Sequence, residues 1–102
     1  MSFKRICIEC RKGFTARQYS ADFCGAECRR TFNNRRATRG AALYDLLMIQ
    51  HEDPAAFDKL RLDGRLTAMV EVWRAQDVKE GRKRSTKRPS DVQVDTLRYS
   101  HG

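Results

Sequence analysis

A small α+β fold is the class this sequence predicts: an N-terminal metal-bound module, then an α-helical hairpin, then a disordered basic tail. Three observations point there. Four cysteines fall in two close pairs, an apolar block starts at Ala41, and after Val78 the chain becomes a run of Lys, Arg, Ser, Thr and Pro. The length of 102 residues allows one small domain, and a domain of that size often needs a staple besides its core. No apolar run is long enough to span a bilayer. The first ten residues, MSFKRICIEC, lack the apolar centre of a signal peptide. The expected location is therefore the cytoplasm, where thiols stay reduced.

The cysteines come first in the chain. Cys7 and Cys10 form C-x2-C; after thirteen intervening residues Cys24 and Cys28 form C-x3-C. A C-x2-C turn brings two sulfurs to one ion, and positions i and i+4 at a helix start lie on one face. Together they make a tetrahedral four-sulfur site, which suits Zn²⁺ best. Two disulfides would be out of place in a reducing compartment. A redox C-x-x-C belongs in a βαβ setting that this sequence lacks. Four buried free thiols are the remaining alternative. With every ligand a cysteine, no coordination position is left open for water or substrate, so the expected cofactor is one structural zinc whose binding contributes to folding.

The residues between the ligands set the local architecture. Arg5-Ile6-Cys7-Ile8 reads as a short strand entering the first knuckle. Gly13 lets the chain turn, and Phe14 and Tyr19 flank a hairpin predicted over residues 11–23. Cys24 then sits at a helix N-terminus, where the helix dipole favours a thiolate. Knuckle, β-hairpin and ligand-bearing helix make a treble-clef zinc finger over residues 1–40.

C-x2-C followed by F-C-x3-C and a basic helix resembles the short treble-clef zinc fingers of bacteria, among them the small zinc-binding inhibitors of DNA gyrase. The segment FCGAECRRTFNNRR is similar, more loosely, to small zinc-ribbon proteins of bacterial and phage genomes. The resemblance covers the first third of the chain. It implies a structural zinc on Cys7, Cys10, Cys24 and Cys28, and either nucleic-acid binding or inhibition of a DNA-processing enzyme. Ile8 and Arg11 stand where many such knuckles carry Pro and Gly, and the gyrase inhibitors' motif after the last cysteine is missing.

A helix predicted from about residue 25 to 50 places Cys28 and Phe32 on one face, followed there by Arg35, Arg36 and Arg39. An apolar stripe does not continue through three arginines, so the middle of this helix should meet solvent or an anion. Arg29, Asn33 and Arg36 recur at i, i+4 and i+7. Arg and Asn pair bidentately with guanine and adenine edges, and Arg also suits phosphate. Net charge is +7 over residues 1–40, −3 over 41–78 and +4 over 79–102, the pattern of two polyanion-binding ends around a folded body. Two other readings of the arginines stay open: a solvated face, and an offset to the negative charge of four thiolates around one dication.

Residues 41–78 read as the helical hairpin. Gly40 marks a joint, and Ala41 to Ile49 is apolar nearly all round. Asp53 as N-cap with Pro54 at N1 starts the next helix. Phe57, Leu60, Leu62, Leu66, Met69, Val70 and Trp73 recur at helical spacing, with a break expected at Asp63-Gly64. Leu43, Leu46 and Leu47 should pack on Leu66, Met69, Val70 and Trp73, with part of that surface left for a homodimer. Residues 79–102 form the basic tail, in which Arg82, Lys83, Arg84, Lys87 and Arg88 would neutralise phosphates without reading sequence. The weakly alternating stretch 92–99 reads as an untethered chain end, with addition of a strand to a partner's sheet edge as the alternative.

His51 and His101 have no nucleophile beside them in the sequence and no Gly-rich phosphate loop occurs, so no enzyme is expected. The function expected is that of a small zinc-stabilised DNA-binding transcriptional regulator, with RNA as the other nucleic-acid ligand. The alternative is a protein-interaction module that docks on a DNA-processing machine, gyrase or RNA polymerase, through the helical hairpin or residues 92–99.

Overall fold

The hairpin forms where the knuckle reverses the chain. Strand β1 (Phe3–Ile6) pairs antiparallel with β2 (Gly13–Ala16), in register Phe3 with Ala16 and Ile6 with Gly13. The loop between them is the first cysteine pair. Cys7 N–H donates to the Lys12 carbonyl and Arg11 N–H to the Cys7 carbonyl, both at 2.9 Å. Alternation turns Phe3, Arg5, Phe14 and Ala16 inward. The structure, a computed structural model, describes residues 2–93.

The hairpin expected over residues 11–23 is thus displaced. β2 pairs backward onto β1 across the knuckle, and residues 17–22 are turn and irregular chain. The reason is local: a C-x2-C turn already closes a hairpin, so no second reversal is needed. Tyr19 instead packs edge-on against Phe3 at 5.8 Å and lies under the Arg5 guanidinium at 5.5 Å.

Helix α1 (Ala26–Glu52) runs 27 residues and crosses Gly40 without a break. Phe32 and Leu46, buried, mark two small cores along it. Near its start Phe32 meets Phe23 edge-on at 5.1 Å, in the module that holds Cys7 and Ala16. Near its end Leu46 and Phe57 are buried, with Leu43, Ile49, Leu66, Met69 and Trp73 half-buried.

Asp53 ends α1 and caps α2 (Pro54–Lys59), its carboxylate accepting from Ala56 N–H at 3.1 Å. The break before α3 (Leu62–Lys79) falls at Leu60–Arg61, not at Asp63-Gly64. Arg61 takes the left-handed conformation, φ 54°, which ends α2, while Gly64 lies inside α3. α3 returns to the middle of α1, where Arg39 meets Asp77. The expected hairpin packing is only partly made: Leu46 is buried, but Leu47 and Val70 are about half exposed. Two helices with a short third between them enclose too little volume to bury both stripes.

After α3 the chain does not leave the body at once. Gly81 turns it, φ 75°, and Arg82 N–H donates to the Asp77 carbonyl at 2.8 Å. Residues 82–93 then run back along the molecule, against the expectation of an untethered tail. Their arginines find carboxylates in the folded body. Residues 94–102, with most of the stretch 92–99, lie outside the described residues. Among the described residues no helix is long and apolar enough to cross a membrane.

Candidate metal centre and basic surface

Cys7 and Cys10 come from the β1–β2 loop, Cys24 from the segment before α1, and Cys28 from its first turn. Their four sulfur atoms lie within 4.8 Å of one another. Cys10 Sγ stands 3.7 Å from Cys24 Sγ, and Cys24 Sγ 3.6 Å from Cys28 Sγ. A disulfide needs about 2.05 Å, and none of the four is so paired. Zn–S bonds of about 2.3 Å give a tetrahedron with edges of about 3.8 Å. The cluster therefore has the dimensions of a single tetrahedral metal site, and these four residues could hold one ion.

The thiols are unequal. Burial pushes Cys7 up, but peptide N–H groups of Cys10, Cys24 and Glu9 outweigh it and bring its pKa down to about 6. Cys28 is pushed up to about 12, first by its hydrogen bond with Cys24, then by burial and by the charge on Cys7. Cys24 is also raised: the hydrogen bond to Cys28 lowers it, but Cys10, burial and the Cys7 charge prevail. Without a cation, negative charge gathers at Cys7 and opposes further ionisation around it. A dication removes that opposition.

The arginines of α1 divide into two sets. Arg35 makes a bidentate pair with Glu9, at 2.7 and 2.8 Å, with both side chains largely buried. Arg39 makes another with Asp77, at 3.0 and 3.1 Å, and its guanidinium lies over Trp73 at 5.6 Å. Asp77 also holds Arg82 at 3.0 Å. Burial pushes the Asp77 pKa up, yet the hydrogen bonds from Arg39 and Arg82 hold it down at about 2. The outward set is Arg29 and Asn33, both exposed, with Arg36 half-buried and donating to Asn33 Oδ1 at 3.1 Å.

The basic segment after α3 divides likewise. Arg84 and Arg88 both reach Asp22 at 2.9 Å, and Arg88 also donates to the Ser20 carbonyl at 2.7 Å. From the knuckle, Arg11 donates to the Gly81 carbonyl at 2.7 Å. Lys83 is exposed and Lys87 half-buried beside them. Five of the residues expected to meet nucleic acid, Arg35, Arg39, Arg82, Arg84 and Arg88, are thus bound to carboxylates of the chain itself.

Sequence reasoning missed the three acids that receive them. Glu9 and Asp22 are two of only three acidic residues in the first forty. A carboxylate alone in a basic run is the signal that would have found them. Comparison of the chain with family models, with curated proteins and with solved structures finds no match. The resemblance to bacterial zinc fingers therefore rests on the cysteine motif itself.

Proposed function

We propose that the chain is a nucleic-acid-binding protein stabilised by one structural zinc in a treble-clef module, acting on DNA as a small transcriptional regulator. The observation that carries this is the start of α1. The helix begins two residues after Cys24 and includes Cys28, so the metal would fix the orientation of the turns bearing Arg29, Asn33 and Arg36. Arg29 and Asn33 are exposed at i and i+4 and Arg36 at i+7 is half-buried over Phe32, while Arg35 and Arg39 are bound to internal carboxylates. Arg29 and Arg36 supply phosphate or guanine contacts, and Asn33 suits adenine.

The test is titration of zinc-loaded protein with random and genomic duplex DNA across a salt series. Replacing Arg29 and Arg36 together by alanine should weaken binding and flatten the log–log salt slope by about 0.9 for each phosphate no longer neutralised. Arg35 is left in place, because its removal would disturb the fold. Unchanged affinity in the double variant would sink the reading.

One observation favours the adapter reading instead. Tyr44, Leu47 and Met48, on the outer side of α1, are 61%, 49% and 37% exposed. A partner captured through this face should survive nuclease treatment and high salt, whereas one bridged by nucleic acid should be released under both.

A further inference from the structure

Gly40 sits in the middle of α1 with nothing within 4 Å of where a Cβ would stand. No turn, positive φ or neighbouring backbone requires it, and glycine there costs helix stability relative to alanine. Its surroundings supply a reason. α1, α3 and the returning segment enclose a groove of about 590 Å³ whose floor is Gly40, Leu43, Val70 and Trp73. Val70 remains 48% exposed on that floor. The rim is cationic, with Arg36, Arg74 and Lys83. Among the described residues the one acid in the lining, Asp77, is already held by Arg39 and Arg82.

We infer that this groove binds an acidic amphipathic helix of a partner protein. A large apolar side chain of the partner lies over Gly40 against Leu43 and Val70, and its carboxylates meet Arg36, Arg74 and Lys83. Opposite charge around an apolar floor is the complement of such a helix. A missing Cβ lets the ligand approach the backbone of α1 closely. An unpaired nucleotide fits less well. The floor is mostly aliphatic, and the Arg39 guanidinium already covers Trp73, the one aromatic platform among the described residues. The inference stands apart from the DNA-binding reading, which uses Arg29, Asn33 and Arg36 towards the start of α1, and shares only Arg36 with it.

The experiment is fluorescence anisotropy of the full chain, zinc-loaded, with a labelled synthetic peptide carrying leucines at i, i+3, i+4 and i+7 among glutamates. A scrambled peptide of the same composition, a single-stranded oligonucleotide and duplex DNA are titrated alongside. The patterned peptide should bind, the scramble at least about tenfold more weakly. Gly40→Leu should weaken the patterned peptide at least about tenfold without lowering the melting temperature or the affinity for duplex DNA. Arg74→Glu with Lys83→Glu should weaken it too. The proposal is overturned if the peptide does not bind, if the scramble binds equally, or if Gly40→Leu leaves binding unchanged. It is overturned also if the single strand proves the Gly40-sensitive ligand, or if Gly40→Leu converts a dimer to a monomer, which would give the groove to a second copy.

Discussion

Arg35 stands on the inward face of α1, one turn beyond Phe32, where an aliphatic residue would ordinarily continue the stripe. The fold admits it because Glu9, displayed by the knuckle between Cys7 and Cys10, meets it with two hydrogen bonds in a largely buried setting. A buried pair of this kind stabilises little over an apolar pair, but removing one member leaves the other charged and unsolvated. Glu9→Gln should therefore lower the unfolding free energy by about 2 kcal/mol, read by urea denaturation with zinc in excess. A change near zero would show the pair to be solvent-screened. The cysteines carry a second prediction. Cys24 and Cys28 are both pushed above the ordinary thiol range, so zinc uptake at pH 7 should release protons from the cluster. Calorimetry in buffers of different ionisation enthalpy should report that release, and zinc affinity should fall as pH is lowered. A buffer-independent heat would contradict the thiol ordering.

At the scale of the element, α1 spans about 40 Å and joins two cores that are each too small to stand alone. Its continuity through Gly40 makes a prediction opposite in sign to most substitutions. Gly40→Ala should stabilise the protein by about 0.5–1 kcal/mol, since the added methyl meets nothing within 4 Å. A rise in melting temperature of several degrees is the expected readout; a fall would mean that the helix is strained at that point. The α1–α2 junction depends on one carboxylate. Asp53→Ala should cost about 1 kcal/mol through removal of the bond to Ala56 N–H, measured by the same melt. Both features are local in sequence, and Asp53-Pro54 was legible there without any structure.

Across the whole molecule, paired charges link segments that the small core does not join. The buried apolar set among the described residues is Cys7, Ala16, Phe32, Leu46 and Phe57. The radius of gyration is 17.0 Å, against about 13 Å for a compact domain of 100 residues. In so open a body, distant segments meet through the cysteine cluster and through arginine bridges. Asp22 ties the segment after α3 to the cysteine-bearing module through Arg84 and Arg88. Asp22→Asn should release that segment and speed tryptic cleavage within residues 82–88, leaving the helical circular dichroism intact. Equal cleavage rates would place the restraint elsewhere. Removing zinc with a chelator should act on the fold itself, with a drop in helical signal from the N-terminal half of α1 and recovery when zinc is returned.

The cysteine cluster, the helix borders at Asp53-Pro54 and the small size of the core were legible in the chain alone, because each rests on residue types within a few positions of one another. A sulfur spacing implies a metal geometry, and a cap and a proline imply a helix start, whatever the rest does. The partners of the arginines were not legible. Arg35 and Glu9 are 26 residues apart, Arg39 and Asp77 38, and Arg88 and Asp22 66. Composition records an excess of positive charge but not which charges meet, and pairing across such distances depends on how β1, α1 and α3 come together. Tertiary structure thus decided which arginines close on carboxylates of the chain and which, Arg29 among them, stay exposed, because a guanidinium fork closed on a buried carboxylate is not open to a phosphate.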